Sequence, residues 1–397
     1  MHLVAIVNGP GEVAGWMLPV VERLKARSPA SRVTAVITPC QFASGREREI
    51  VAASPAVDEA LTMAGFIRRS WRARARRNGA AGERTLVVHF GGDPFYAAVA
   101  AAMLGVPAWR YGTSSCGWMR TDRYLVPDVR TRAKLLARGI EPARIDVVGQ
   151  VVVDSVSAEA RIAARASRSR PGQERIVLMP GSRRFELAFM LPFYVRVLDE
   201  IRRRRPGATC VMPIAPFVSR DLFESIASSA GYGSDGRDDG RWLVTPGGSA
   251  CRVVEGSTYQ AVLAADLTVT LPGTNTLQLA ALGVPYVVLL PLNRGENIPL
   301  EGMAGWLLPS IRPFGLFRRY LTWQMNRGID FVALPNILVS EAVVPELRGV
   351  LEPGAVAATV VGLLDDPARC AAMAARLRDI AGPPGAADRA AARLLEN

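Results

Sequence analysis

Short apolar runs recur along this 397-residue chain, most of them followed by a turn and then a stretch of helical periodicity. Such alternation builds a parallel sheet, because a parallel neighbour can only be reached through a crossover helix. The runs at 2–7, 33–38, 85–90, 108–111, 123–126 and 146–148 read as strands, with helices at 16–26, 95–103 and 129–138. A small, polar, basic stretch at 155–174 reads as a linker. A second series follows: strands at 175–179, 209–213, 267–271 and 286–290, and helices at 186–203, 218–230, 259–264 and 275–282. Residues 231–241, GYGSDGRDDGR, read as a loop. The alanine-rich tail 355–395 reads as helix broken at 382–387. The expectation is an α/β protein of two Rossmann-like, doubly wound domains, 1–160 and 173–397. The last helices are expected to pack back on the first domain.

Composition removes several classes of function. Hydrophobic residues are 49% and charged residues 21%, enough for a packed core and unlike a disordered chain. The net charge of +12 is carried by arginine, since Lys25 and Lys134 are the only lysines. That charge favours anionic partners, but no recognition helix or aromatic–basic platform accompanies it, so nucleic acid is not expected. Five cysteines without a CxxC pair, and only two histidines, argue against a zinc site or a Ser-His-Asp triad, and no metal or cofactor is expected. The odd, widely spaced cysteines and the absence of a basic leader fit a cytoplasmic protein. No run reaches the ~20 apolar residues of a membrane-spanning helix. Segment 303–326 mixes Trp306, Phe314, Phe317, Tyr320 and Trp323 with Arg312, Arg318 and Arg319. It suits a peripheral contact with the inner face of the cytoplasmic membrane, or an inserted hairpin packed on the core or on a dimer partner.

The chemistry sits in turns between strands and helices. The first, at 8–15, carries Gly9, Gly11, Glu12 and Gly15; it lacks the spacing of a dinucleotide fingerprint. Glu12 is either a cleft carboxylate or a helix-capping one. The second, HFGGDPF at 89–95, places Asp93 to take a proton from an acceptor hydroxyl, or to cap a helix with Pro94 at its first position. The third, MPGSRRFE at 179–186, offers Gly181, Ser182, Arg183 and Glu186 at a helix start, as a phosphate site requires, without the Lys of a Walker loop. The fourth, LPGTNTLQ at 271–278, offers Gly273, Thr274, Asn275, Thr276 and Gln278 for a diphosphate. Residues 334–338, LPNIL, read as a turn, and Pro345-Glu346-Leu347 as a helix start.

Taken in order, these segments resemble lipid-A-disaccharide synthases, which are inverting glycosyltransferases of GT-B type with two Rossmann-like domains facing across a cleft. MPGSRRFEL looks like the family's LPGSRxxEI, LPGTNTLQLAALGVPYVV like its SGTATLExxxxxxPxVV, and PNIL and VPEL like its PNLL and PEL. GPGEVAGW is similar to its GEASGD, and GGDPF to its D-x-P-D-F. The resemblance covers essentially the whole chain. It implies transfer of a sugar from UDP-diacylglucosamine to the 6-hydroxyl of an acylated glucosamine phosphate, without a metal. On it, Asp93 is the general base, with Glu12 beside it and Gly11 and Gly15 on the acceptor side. Arg183 neutralises diphosphate charge, Thr274 and Asn275 bind the diphosphate, and Asn336 contacts the nucleotide. It also implies a homodimer exchanging C-terminal segments.

Four positions depart from the family pattern. The aspartate of GEASGD is Trp16, the histidine of VGHP is Gln150 in VVGQVVVD, the glutamate of SGTATLE is Gln278, and its serine is Pro272. They suggest a changed acceptor or donor. The alternatives are a GT-B enzyme with another acceptor, a UDP-sugar epimerase sharing the phosphate turns, or a non-catalytic nucleotide-sugar-binding homologue.

Overall fold

A computed structural model describes residues 1–40, 43–76, 84–112, 121–156, 173–235, 241–256, 258–293 and 328–396. The aromatic–arginine segment 303–326 and most of the expected linker lie outside the described residues. The chain divides into two compact units: Met1–Ser155 with Pro383–Asn397, and Val156–Gly382.

Unit 1 is built on a seven-stranded, wholly parallel sheet in the order β3-β2-β1-β4-β5-β6-β7. Its strands are β1 (His2–Val7), β2 (Arg32–Ile37), β3 (Glu59–Thr62), β4 (Thr85–His89), β5 (Ala108–Tyr111), β6 (Arg123–Val126) and β7 (Ile145–Val147). The helices are α1 (Leu18–Arg27), α2 (Glu47–Ala52), α3 (Met63–Arg76), α4 (Pro94–Leu104) and α5 (Val129–Leu136). Of these, β3, α2 and α3 have no counterpart in the sequence reading. Val4 and Ile6 of β1 pack with Met63 and Phe66 of α3 and with Ala97, Ala100 and Ala101 of α4. Leu3, Ala5 and Val7 on the opposite face are also buried. Burial on both faces explains why β1 reads as an unbroken apolar run rather than an alternating one.

Unit 2 carries an eight-stranded sheet in the order β10-β11-β12-β9-β8-β13-β14-β15. Its strands are β8 (Arg175–Leu178), β9 (Thr209–Ile214), β10 (Gly233–Asp235), β11 (Arg241–Val244), β12 (Ala250–Glu255), β13 (Leu267–Thr270), β14 (Tyr286–Pro291) and β15 (Glu346–Gly349). Between them run α6 (Arg184–Arg204), α7 (Arg220–Ser229), α8 (Thr258–Leu263), α9 (Asn275–Leu282) and α10 (Leu334–Val339), and α11 (Pro353–Leu364) and α12 (Pro367–Ala381) follow. Two sequence expectations are corrected. The stretch read as a loop begins with strand β10 and ends at the first residue of β11, which pairs antiparallel with β10 and with β12. The expected turn at 334–338 is helical, and the expected helix start at 345–347 is strand β15, parallel to β14.

The final helix, α13 (Ala386–Glu396), belongs to unit 1 and packs on α1. Both carboxylate oxygens of Asp154 accept N–H groups at its start, from Gly385 and Ala387. Arg27 pairs with Asp388, and Arg84 donates to the carbonyls of Leu394 (3.0 Å) and Leu395 (3.2 Å) at its end. Acceptors at a helix start and donors at its end satisfy the groups the helix cannot bond internally.

Candidate functional site

An open parallel sheet binds ligands at the carboxyl ends of its strands, where chain connections depart in opposite directions. In unit 1 that switch point lies between β1, whose crossover leads to β2, and β4, whose crossover leads to β5. In unit 2 it lies between β8, leading to β9, and β13, leading to β14. The four motif turns of the sequence are the turns that leave these four strands.

In unit 2, β13 gives way to Leu271-Pro272 and then Gly273, an exposed residue at φ 154°. A Cβ there would lie 2.9 Å from Asn275 Oδ1. Asn275 Nδ2 donates to Thr270 Oγ1 and to the Leu271 carbonyl (3.3 Å), tying the strand end to the helix start. Thr274 and Gln278 are half-buried, and Thr274 makes no side-chain cap bond. The N–H groups of Thr274 and Asn275 precede the first intrahelical bond of α9 and have the character of an anion site.

Thr276 is engaged within the protein. Its side chain is fully buried, donating to the Gly273 carbonyl (2.8 Å) and accepting from Leu334 N (3.1 Å), so it braces the turn against α10 rather than facing a ligand. Asn336 is engaged likewise. It is fully buried, and its amide is saturated: Nδ2 donates to the Val344 carbonyl and Glu346 Oε1, while Oδ1 accepts from Val343 N and Val344 N, all at 2.9–3.0 Å. An amide has two donors and two acceptor positions, so no capacity is left for a nucleotide.

The turn after β8 closes on its own glutamate. Ser182 N and Arg183 N, the expected phosphate donors, both donate to Glu186 Oε2 at 2.9 and 3.1 Å, and Arg183 Nη1 pairs with Glu186 Oε1 at 3.1 Å. Gly181, at φ 103°, allows this closure, because a Cβ there would lie 2.6 Å from Glu186 Cβ. The glutamate acts as the protein's own anion at the start of α6, and the guanidinium of Arg183 is held beside it.

In unit 1 the turns after β1 and β4 interlock. A Cβ on Gly91 would collide with Glu12, and one on Gly92, at φ 84°, would lie 2.7 Å from Asn8 Nδ2. Glu12 is thus brought against the turn that carries Asp93. Asn8, which the motif reading did not single out, donates through Nδ2 to Cys40 Sγ at 3.5 Å. Asp93 caps α4, with Oδ1 accepting from Phe95 N at 2.9 Å and Pro94 in the first turn. The cap uses one carboxylate oxygen, so capping and proton acceptance do not compete for the same atom. His89, the last residue of β4, is buried; burial and then the neighbouring Arg110 lower its pKa to about 3, holding the ring neutral. Gly11 and Gly15 flank Glu12, and Gly15 is buried within a π-helical turn, Val13–Met17, closed by Leu18 N–H to the Val13 carbonyl. Such turns recur at functional sites.

No protein-family model matches the chain. Over 224 residues it is 31% identical to a lipid-A-disaccharide synthase of Anaeromyxobacter sp. (strain K), an alignment covering 55% of this chain and 48% of that protein. The synthase of Syntrophus aciditrophicus is 28% identical with the same coverage, and that of Prochlorococcus marinus (strain MIT 9313) is 27% identical over 299 residues, 73% of this chain and 67% of that one. This chain is a divergent relative of the lipid-A-disaccharide synthases. It spans about half the length of the first of these relatives that it matches. Among solved structures, a UDP-GlcNAc 2-epimerase of Neisseria meningitidis bound to UDP-GlcNAc has a TM-score of 0.62 at 16% identity, covering 100% of both chains. Acinetobacter baumannii MurG has a TM-score of 0.55 at 12% identity, covering 100% of this chain and 99% of that one. The fold is of GT-B type.

Two departures from the synthase motifs meet at one place. Trp16, in the π-helical turn, packs edge-on against Tyr111 with ring centroids 5.6 Å apart. The Tyr111 hydroxyl donates to the Gly149 carbonyl (3.2 Å) and accepts from Val151 N (3.0 Å), on either side of Gln150. The third, Gln278, lies in unit 2 on the first turn of α9. Tyr111 carried no motif signal; its only mark in the sequence is its place at the end of an apolar run.

Proposed function

We propose that this chain is an inverting glycosyltransferase that moves a sugar from a UDP-sugar to a lipid-linked or acylated sugar acceptor, with unit 2 holding the nucleotide and unit 1 the acceptor. The placement of all four motif turns at the two switch points is the observation that supports it most. In the proposed step the acceptor hydroxyl oxygen bonds to the anomeric carbon, and the bond from that carbon to the diphosphate oxygen breaks. Asp93 takes the hydroxyl proton through the oxygen not engaged in capping, and UDP departs with the electron pair. Its charge is opposed by the N-terminus of α9 at Thr274 and Asn275. The family resemblance implies UDP-2,3-diacylglucosamine as donor and an acylated glucosamine phosphate as acceptor.

UDP release from UDP-sugars, assayed with acylated and non-acylated sugar acceptors, tests this reading. Asp93→Asn should lower transfer by about 10²–10⁴-fold while UDP affinity stays the same. Transfer unchanged in that variant would remove Asp93 from the chemistry, and no UDP binding at all would remove the function. A second reading, a UDP-sugar epimerase, is favoured by the full-length likeness to the Neisseria meningitidis enzyme. Conversion of UDP-GlcNAc without any acceptor would select it.

A further inference from the structure

Trp16, Tyr111, Asp128 and Gln150 come from the ends of four parallel strands of unit 1: the turn after β1, the end of β5, and the turns after β6 and β7. Parallel strands place all four on one edge of the sheet. Tyr111 is buried, and its hydroxyl is pinned on both sides of Gln150; burial raises its pKa well above the ordinary tyrosine range and keeps the phenol neutral. It holds the half-buried indole of Trp16 at an interplanar angle of 73°. Gly112, at φ 130°, leaves the space beside the indole open, its absent Cβ lying 3.9 Å from Trp16 Cζ3. Gln150 Nε2 reaches Asp128 Oδ2 at 3.5 Å, while Asp128 Oδ1 caps α5 through Thr131 N at 2.7 Å. The guanidinium beside Gly149, that of Arg389, donates its Nε–H to the Val148 carbonyl at 2.8 Å. The result is a fixed aromatic plane on the same end of the sheet as an amide paired with a carboxylate, the two linked through Tyr111.

We infer that Trp16, backed by Tyr111 and flanked by Gln150 and Asp128, forms a subsite that binds a pyranose ring, stacking its C–H face on the indole and bonding its hydroxyls to the amide and carboxylate. The inference rests on unit 1 being the acceptor side. An indole offers a broad apolar surface of fixed orientation, and an amide beside a carboxylate supplies both donors and acceptors for neutral hydroxyls. The two synthase positions that can carry charge, the aspartate of GEASGD and the histidine of VGHP, are here an indole and an amide in one cluster. The exchange is therefore paired, and it selects the neutral face of a sugar at this point rather than an ionic group.

The test uses the full chain and methyl N-acetyl-β-D-glucosaminide as probe, read by saturation-transfer NMR, with UDP binding followed separately by thermal shift. Ring protons of the glycoside should receive saturation from the wild-type protein. Trp16→Leu, which keeps an apolar side chain but no ring, should weaken binding roughly tenfold, whereas Trp16→Phe should retain most of it. UDP-induced shifts should be equal in all three. Ring protons that stay dark with a wild-type protein that binds UDP, or saturation that survives Trp16→Leu, would overturn the subsite. A glycoside contact that follows Trp16 in a protein unable to bind UDP would uphold the subsite and end the nucleotide reading.

Discussion

Asn336 and Glu186 belong to motif segments, and both complete the protein's own hydrogen bonding. Sequence shows that a polar group stands at a turn; it does not show which partner reaches it first. For Glu186 the partners are three and four residues back along the same turn, and for Asn336 they are seven to ten residues ahead in β15 and the segment before it. Asn336→Ala should strand the Val343 and Val344 N–H groups in the interior. At ~1–3 kcal/mol per stranded group, about 3 kcal/mol is expected, lowering the melting temperature of the protein by roughly 6–12 °C. A shift below a degree would show that these bonds do not hold the interior together. His89 is the second case. Its pKa of about 3 in the folded chain lies below the ordinary value of 6.5, so the unfolded chain takes up a proton that the folded chain refuses. Its contribution is whole above pH 6.5 and is lost as pH falls towards 3, with a slope of at most ~1.4 kcal/mol per pH unit. Urea unfolding between pH 6.5 and 5 should show a flatter pH dependence for His89→Gln than for the wild type; identical slopes would refute the assignment.

At the scale of elements, legibility followed length and isolation. Strands β5 and β6 and helix α9 fall where the sequence reading puts them, because each strand is a short run of mostly apolar, aromatic-bearing residues and the helix is bounded by glycine at both ends. The misses are short or context-bound. β10 has three residues and, among the described residues, pairs with β11 at the edge of its sheet. β15 was mistaken for a helix start because Pro345 before Glu346 imitates a first helical turn. Its glutamate instead accepts Val332 N and Ala333 N and holds Asn336, a set of partners that only the packed unit supplies. Tertiary contacts overrode local preference there. Helix α13 makes a related point, since its anchorage depends on a residue far back in the chain. Asp154→Ala removes the acceptor at its start and should cost about 1 kcal/mol, as loss of a helix cap does. Amide hydrogen exchange in 386–396 should then quicken while exchange in β8 and β13 stays the same. Uniform quickening across both units would contradict a local clasp.

For the whole molecule, the alternation of runs and turns announced two Rossmann-like halves, and the four motif turns could be found because glycine-bearing strand-to-helix turns keep a signature that needs no distant partner. The remodelled corner at Trp16, Tyr111 and Gln150 could not be assembled that way, because its members lie on strand ends separated by up to 134 positions. The division of the chain has a further consequence for synthesis. Val156–Gly382 is threaded between the two pieces of unit 1, and α13 is the piece delivered last. At ~5–20 residues per second, a ribosome that has released Asp154 needs roughly ten to fifty seconds more before its partner helix emerges. For that interval the apolar face of α1 and the carboxylate of Asp154 wait uncovered while the whole of unit 2 is being made, and unit 2 is complete at Gly382 only a few residues before α13 begins. Unit 1, although begun first, is thus the unit that cannot be completed until all of unit 2 has been made.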